Sequence, residues 1–508
     1  MLDWFKRLVS QSASADPRIQ AASGPYRGGV VDRLTSDWQP QNYSADAAAS
    51  LAWPVMNPRM RDLGRNEPSI VAATGALVDH VIGLGIGCSA AATLDSELDD
   101  EFNAEADLLW DRWFETEIDA EGRRTGCELQ QLSMRDAVDS GDSLWLEVFD
   151  PTPGRIVPLC YQLLEPEQID DSVDRPRTDD GATLENGNKV VRGVELDASN
   201  RPVAYYVWDQ HPYDAWLPLG ANTSLSRRIP ASRVLHWFVP GRPSQTRGVS
   251  LWAAAMQPAR DRDWLVGNVL TAAAIQAIFT VIHQTDKAST IAPATETGDK
   301  GETLFKLGRG MVHSGMPLED KFTTISPTQP SAQLGDFIRL IMQLQAMASR
   351  MSYLRMTRDY SATNYSSARA AHEDDDKTFR PLQVNFGNRI VRKQHRAFLA
   401  QAAALGRFKS VTPRMFRDGL STWLVDELVL PGRRYIDPAK ETEAAKSRMA
   451  AGISTLKDEV GAFSGKSWRS NLRQLGIEQQ FAKQQGLELD WGQKPAQPAT
   501  KQDLEEAA

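Results

Sequence analysis

Pro258-Ala-Arg-Asp-Arg-Asp-Trp-Leu-Val-Gly-Asn-Val-Leu-Thr-Ala-Ala-Ala-Ile-Gln-Ala-Ile-Phe-Thr-Val-Ile-His283 and Ser331-Ala-Gln-Leu-Gly-Asp-Phe-Ile-Arg-Leu-Ile-Met-Gln-Leu-Gln-Ala-Met-Ala-Ser-Arg-Met351 decide the fold of this 508-residue chain. The first stretch opens on Pro258, whose missing N–H costs nothing in the first turn of a helix. At 1.5 Å per residue it makes a rod of roughly 39 Å. The second starts at Ser331, an N-cap following Pro330. It carries Leu334, Phe337, Ile338, Ile341, Gln345, Ala348 and Met351 at steps of three and four, the spacing of a helical face. Between the two, residues 285–330 are rich in Thr, Gly and Pro, with short β-like pieces such as Lys321-Phe-Thr-Thr-Ile325. The chain therefore runs out along one helix, builds a small module at the far end and returns along a second.

Upstream, residues 143–240 change character. Leu144–Phe149, Val190–Leu196, Val203–Trp208 and Arg233–Val239 are β-like and separated by turn signals such as Asp197-Ala-Ser-Asn200, so this block reads as a mostly antiparallel β insert. Before it, residues 51–90 are helical until Gly83, Gly85 and Gly87 break the pattern, and 95–121 form an acidic helix with Phe102, Leu109, Trp113 and Phe114 on its apolar side. Residues 1–50 read as a mobile arm. Downstream come a polar Tyr/Ser-rich stretch at 357–367, a helical region at 368–405 interrupted by Pro381, short helices over 436–485 and a disordered tail at 492–508.

Apolar residues make up 41% of the chain and charged residues 24%, as in folded soluble proteins, and the net charge of −9 excludes a strongly basic nucleic-acid coat. The three cysteines, Cys88, Cys127 and Cys160, are too few and too scattered for a disulfide framework, which fits a reducing cytoplasm. The longest apolar run, Val269–Ile282, is too short to span a bilayer at roughly 20 residues, so no membrane segment is expected. The 14 tryptophans read as large core fillers.

Motifs of enzyme chemistry fail on spacing. Gly83-Leu-Gly85-Ile-Gly87 lacks the sixth-position glycine of a dinucleotide fingerprint and follows a helix. Gly461-Ala-Phe-Ser-Gly465-Lys-Ser467 has three residues between its glycines where a phosphate loop needs four. His372-Glu-Asp-Asp-Asp376 has no second histidine four residues away and reads as a solvated or partner-facing helix surface. No nucleophile–base set, metal site or cofactor site is expected. Charge segregation says more. Asp95 to Glu121 contains twelve acidic residues and one basic, Arg112, whereas Lys377 to Arg417 contains ten Lys/Arg and no acid. Three readings stand: the blocks pair across a subunit interface, the basic block faces nucleic acid, or both are solvated.

Eight stretches in fixed order resemble the lambda-like family of tailed-bacteriophage portal proteins. They are Arg61-Asp-Leu-Gly-Arg-Asn66 with Val78–Ile86, Gly141-Asp-Ser-Leu-Trp-Leu-Glu147, Leu164-Glu-Pro-Glu-Gln-Ile169, Gly193–Asp197 with Arg201–Tyr206, Ile229–His236, Gln245-Thr-Arg-Gly-Val249, Asn364-Tyr-Ser-Ser-Ala-Arg369 and Tyr435–Glu441. Each is weak alone; together they cover roughly 60–441.

The resemblance implies an α+β, mainly helical portal-type subunit with an antiparallel β insert. Its parts would be an arm (1–50), wing (51–250), first stem helix (251–284), clip (285–330), second stem helix (331–352), tunnel loop (353–366), wing and channel helices (367–435), crown (436–491) and tail (492–508). It implies a homo-oligomeric ring, typically of twelve subunits, at the unique capsid vertex. Double-stranded DNA would pass through this channel without sequence specificity during packaging and ejection. Implied partners are the terminase large subunit, the head-tail connector, and capsid and scaffold proteins; the implied location is the virion, after assembly in the host cytoplasm. The placement makes Arg350, Arg355, Arg358, Asn364 and Tyr365 the DNA-channel candidates. Asp99, Asp100, Glu101 and Glu105 against Arg389, Arg392, Lys393 and Arg396 become the subunit-interface candidates. A monomeric DNA-binding adaptor acting through 377–417 is the competing reading, and a packaging ATPase using 461–467 is disfavoured by its glycine spacing.

Overall fold

The computed structural model describes residues 40–94, 97–173, 186–214, 226–277, 334–361, 363–433 and 437–487, and the backbone of 281–284, 296–297, 303–304 and 321–324. The expected arm up to residue 39, most of the 285–330 module and the 492–508 tail lie outside the described residues. In chain order the elements are α1 (Ala45–Asn66), α2 (Pro68–Val81), β1 (Gly87–Ala90), β2 (Thr93–Leu94), β3 (Glu97–Leu98), α3 (Asp100–Thr116) and α4 (Gly126–Asp139). The insert follows as β4 (Asp142–Phe149), β5 (Leu159–Leu164), β6 (Lys189–Val191), β7 (Val194–Leu196), β8 (Pro202–Val207), β9 (Arg227–Pro230) and β10 (Val234–Phe238). Then come α5 (Met256–Ala277), β11 (Val281–Gln284), β12 (Glu296–Thr297), β13 (Thr303–Leu304), β14 (Lys321–Thr324), α6 (Leu334–Ala348), α7 (Tyr353–Thr357) and α8 (Tyr365–Phe386). A π-turn at Gly387–Val391 joins α8 to α9 (Arg392–Ala404); α10 (Pro413–Asp418), α11 (Leu420–Trp423), β15 (Asp426–Val429), α12 (Pro438–Ala450), α13 (Leu456–Ser464) and α14 (Trp468–Gln484) complete the chain.

α2 is the central helix. Pro68 occupies its first turn, the Glu67 carboxylate accepts from the Ile70 amide at 2.9 Å, and Ile70, Ala73, Ala76, Leu77, Val78 and Val81 are all buried. A helix apolar on most faces belongs in a core. Gly83 and Gly85, both at positive φ, then end it, as the sequence reading expects. β1 pairs antiparallel with β15, so residues 87–90 are zipped to residues 426–429. The tail helix α14 holds this ribbon through Arg469, which donates to the Ala90 carbonyl and pairs with Glu427.

The insert is antiparallel, as expected, but it comprises two sheets: β10-β4-β5 and β6-β7-β8-β9. Residues 190–196, read from sequence as one strand, are a hairpin. Arg192 and Gly193 both have positive φ, the backbone of a two-residue turn set between the apolar pairs Val190/Val191 and Val194/Leu196. Leu144, Leu146, Leu164, Ile169, Val194, Tyr205 and Val207 form a second core between the sheets. Trp110, Trp113, Trp145, Trp237 and Trp252 are fully buried, and several bridge layers. Trp113 donates to the Leu159 carbonyl, Trp145 to Ser133, Trp237 to Asn385 and Trp252 to Thr74. Large apolar area with a satisfied N–H suits joints between elements.

Both expected rods are present, as α5 and α6; α5 has given way to strand by Val281, short of the expected His283, and α6 ends at Ala348, short of Met351. The α8 helix runs through Pro381 unbroken. The irregularity falls instead at Gly387, where Arg392 donates to the Gly387 carbonyl five residues back. Gly387 is buried, and an added Cβ would lie 3.0 Å from Leu428. Gly465 caps α13 in the left-handed region, so 461–467 joins two helices and follows no strand.

Candidate channel and subunit interface

The polar stretch after the second rod is more ordered than a loop. Ser352 caps the one-turn helix α7, and its N–H and Oγ reach the Asp375 carboxylate at 2.6 and 2.7 Å. Arg355 spends its guanidinium on Asp375 (3.4 Å) and on His80 Nε2 (3.2 Å). Burial, assisted by Arg355, lowers the His80 pKa to about 4, so the ring is neutral at pH 7 and stacks on Phe379. Arg355 is therefore an internal clamp, and Asp375, read from sequence as surface, is buried. Asn364 caps α8 by accepting from the Ser367 amide at 2.8 Å.

The other three channel candidates are exposed. Arg350 and Arg358 both adopt φ +56, each ending a helix, and Tyr365 stands in the first turn of α8. Arg358 makes a 3.3 Å pair with Asp79 with both groups mostly in solvent, an arrangement worth little.

The charge blocks are largely used within one subunit. Asp99 caps α3 on the Phe102 amide. Glu105 accepts from the Lys409 and Ser410 amides and the Ser410 hydroxyl; against modest burial, these bonds hold its carboxyl below the usual range. On the basic side Arg392 and Arg396 both pair with Asp426, whose side chain is fully buried. Asp100, Glu101, Arg389 and Lys393 remain exposed. α3 does pack on α9, but through Trp110 against His395 and Phe398 and not through charge. The sequence reading missed Asp426 because its helix partners lie some thirty residues upstream with no helical or strand spacing to connect them.

A second feature has no counterpart in the charge pattern. Phe337, Leu340, Leu344 and Met347 stand 44–66% exposed along one stripe of α6, while Ile341, Gln345 and Ala346 face the core. Trp264 and Leu270 of α5 are also about two-thirds exposed. The sequence signal was present: a helix apolar on more than one face needs more than one partner.

Five of the eight stretches that carry the family resemblance converge in space. Asp142, fully buried, accepts from Arg247 Nε at 2.9 Å, from the Gly248 amide, and pairs with His236 Nε2 at 3.0 Å. Arg192 reaches the Arg247 carbonyl, and Arg247 donates to the Pro166 carbonyl at 2.7 Å. Arg61 bridges Asp136 and Glu167. Gly141 and Gly248 touch so closely that a Cβ on Gly248 would lie 1.9 Å from the Gly141 carbonyl oxygen. Five of the stretches thus form a polar hub, centred on Asp142, that fastens the β insert to the helices.

The chain is 24% identical over 461 residues to portal protein B of Escherichia phage lambda, covering 83% of each chain. It is 23% identical over 483 residues to the portal protein of Escherichia phage N15, covering 89% of each. Among solved structures it resembles a chain from the neck of a native GTA particle computed with C12 symmetry (16% identity, TM-score 0.44, 80% of this chain and 93% of that one). It also resembles an HK97 family phage portal protein from Corynebacterium diphtheriae (13% identity, TM-score 0.35, 76% and 98% covered). The family model for phage portal proteins of the lambda family matches residues 31–383, and this chain, with its α+β fold of long helices and an antiparallel insert, belongs to that family.

Proposed function

We propose that the chain is the subunit of a portal ring, of twelve copies, at the unique vertex of a phage capsid, where double-stranded DNA passes during packaging and ejection. The observation that carries the reading is the outward apolar stripe of α6 in a chain of this family: four large side chains in line on a stem helix call for cover by a neighbouring copy. On this reading α5 and α6 form the stem, the 285–330 module meets the terminase large subunit and later the head-tail connector, and the wing contacts capsid and scaffold proteins. DNA contacts would come from Arg350, Arg358 and Tyr365, which are exposed at the end of the second rod. Sparse cations repeated around a ring touch phosphate without reading bases, which permits sliding. The subunit itself turns over no nucleotide and acts in the virion after assembly in the host cytoplasm. No described helix is long and apolar enough to cross a membrane.

A monomeric DNA-binding adaptor fits less well, because Arg392 and Arg396 are committed to Asp426. Averaged top views of the purified protein in the electron microscope separate the two. A closed toroid with countable rotational symmetry is expected; protein that stays monomeric at every salt concentration would refute the ring.

A further inference from the structure

We propose that Cys88, His395 and Asp426 form a buried divalent-metal site of the zinc class that clasps the two halves of the chain. Sγ of Cys88, a ring nitrogen of His395 and a carboxylate oxygen of Asp426 all lie within 4.8 Å of one another, and all three residues are buried. They come from β1, α9 and β15. In the β1–β15 register Ala90 faces Asp426 and Cys88 faces Leu428, so Cys88 and Asp426 are diagonal neighbours on one face of the ribbon. α9 crosses that face and presents Arg392, His395 and Arg396 to it. His395 has no exposed surface, and neither of its ring nitrogens has a hydrogen-bond partner. An imidazole with both nitrogens unpaired in a closed interior is costly unless something binds there.

Thiolate, imidazole and carboxylate are the donors a borderline-soft ion selects. Tetrahedral ligands at zinc stand about 3.5 Å apart. The three atoms therefore need to close by only about an ångström, and a water would complete the set. The two arginines oppose a dication, since each holds one oxygen of Asp426. Their side chains are 30% and 48% exposed, however, so a guanidinium can turn to solvent when an ion takes its place. Bound metal would tie residue 88 to residues 395 and 426, where helix α9 meets the ribbon closed by the distant end of the chain. Sequence spacing gave no hint of this, because the ligands are separated by hundreds of residues or belong to different elements.

The full-length protein, stripped with EDTA and dialysed, would be titrated with Co2+ and then Zn2+. One equivalent of Co2+ should produce a thiolate-to-cobalt charge-transfer band with tetrahedral d–d absorption, bleached by one equivalent of Zn2+, with a rise in melting temperature. Cys88→Ala should abolish the band, whereas Cys127→Ala and Cys160→Ala should leave it. Arg396→Gln, which frees a carboxylate oxygen of Asp426 and removes no proposed ligand, should tighten Zn2+ binding by roughly tenfold; this variant keeps the test decisive if Cys88→Ala fails to fold. No band with the folded wild-type protein, a band lost through Cys127→Ala, or an affinity unmoved by Arg396→Gln would overturn the proposal.

Discussion

Replacing Leu340 and Leu344 by lysine should dissolve the ring while leaving the subunit folded. Burying a leucine completely is worth about 1.5–3 kcal/mol. In the isolated subunit these two side chains are 50% and 44% exposed, so half the burial is already achieved inside the chain. Closing a neighbour over the rest gains about 1 kcal/mol each. The double variant therefore loses about 2 kcal/mol at every subunit boundary, close to thirtyfold in each pairwise constant. Desolvating the two ammonium groups adds to that loss. Because the lesion repeats at every boundary of a ring, partial closure gains nothing. Sedimentation velocity should show a monomer at concentrations where the parent is a single large species, and negative-stain images should lack toroids. The monomer's melting temperature should barely move, since substitutions at outward positions usually stay within about 0.5 kcal/mol. Rings formed by the double-lysine variant in parental yield would refute the assignment of this stripe to an interface.

Asp142→Asn should destabilise the subunit by about 3–5 kcal/mol in urea, because Arg247, 1% exposed, loses its buried counter-charge. Burial alone would raise the Asp142 pKa, but Arg247, His236 and Arg192 hold it well below the usual carboxylate range. Its contribution is thus fully present above about pH 4 and lost as pH falls further, so the acid-induced drop in melting temperature should be shallower in the variant. Reversing Asp100, Glu101 and Glu115 to lysine should lower ring yield with the monomer intact; unchanged yield would remove α3 from the interface. Arg355→Ala should lower the melting temperature by stripping Asp375 of its cation, at a cost of about 1–3 kcal/mol. Arg350→Ala and Arg358→Ala should leave melting unchanged and act only on DNA passage, measured as packaged length in a reconstituted capsid.

The out-and-back helices and the antiparallel insert were legible because periodicity and turn residues are local signals. The hairpin at 190–196 was not, since its two-residue turn pairs Gly193 with Arg192, a residue type that rarely adopts positive φ, between β-branched neighbours. The site residues divide the same way. Asn364 sits in the polar stretch, Arg355 in the implied tunnel loop and Ser352 at the end of the implied second stem helix, and only tertiary partners such as Asp375 and His80 reveal the clamp and caps. The opposed charge blocks suggested a pairing between copies. The structure spends Glu105 on backbone amides and Arg392 and Arg396 on Asp426, partners that no sequence spacing announces. The family stretches, by contrast, were informative for a reason that sequence could not show: five of the eight meet around Asp142.

The π-turn between α8 and α9 sets a phase. A helix advances about 100° per residue, and the extra residue accommodated at 387–391 rotates everything downstream by that amount relative to α8. Without it Arg392, His395, Arg396 and Phe398 would each swing about a quarter-turn, away from Asp426, Cys88 and Trp110. A single-residue deletion there would shorten the rod by only about 1.5 Å yet misaddress its whole inner face. The segment is thus intolerant of length change. One widened turn keeps the two ends of the chain in register with each other.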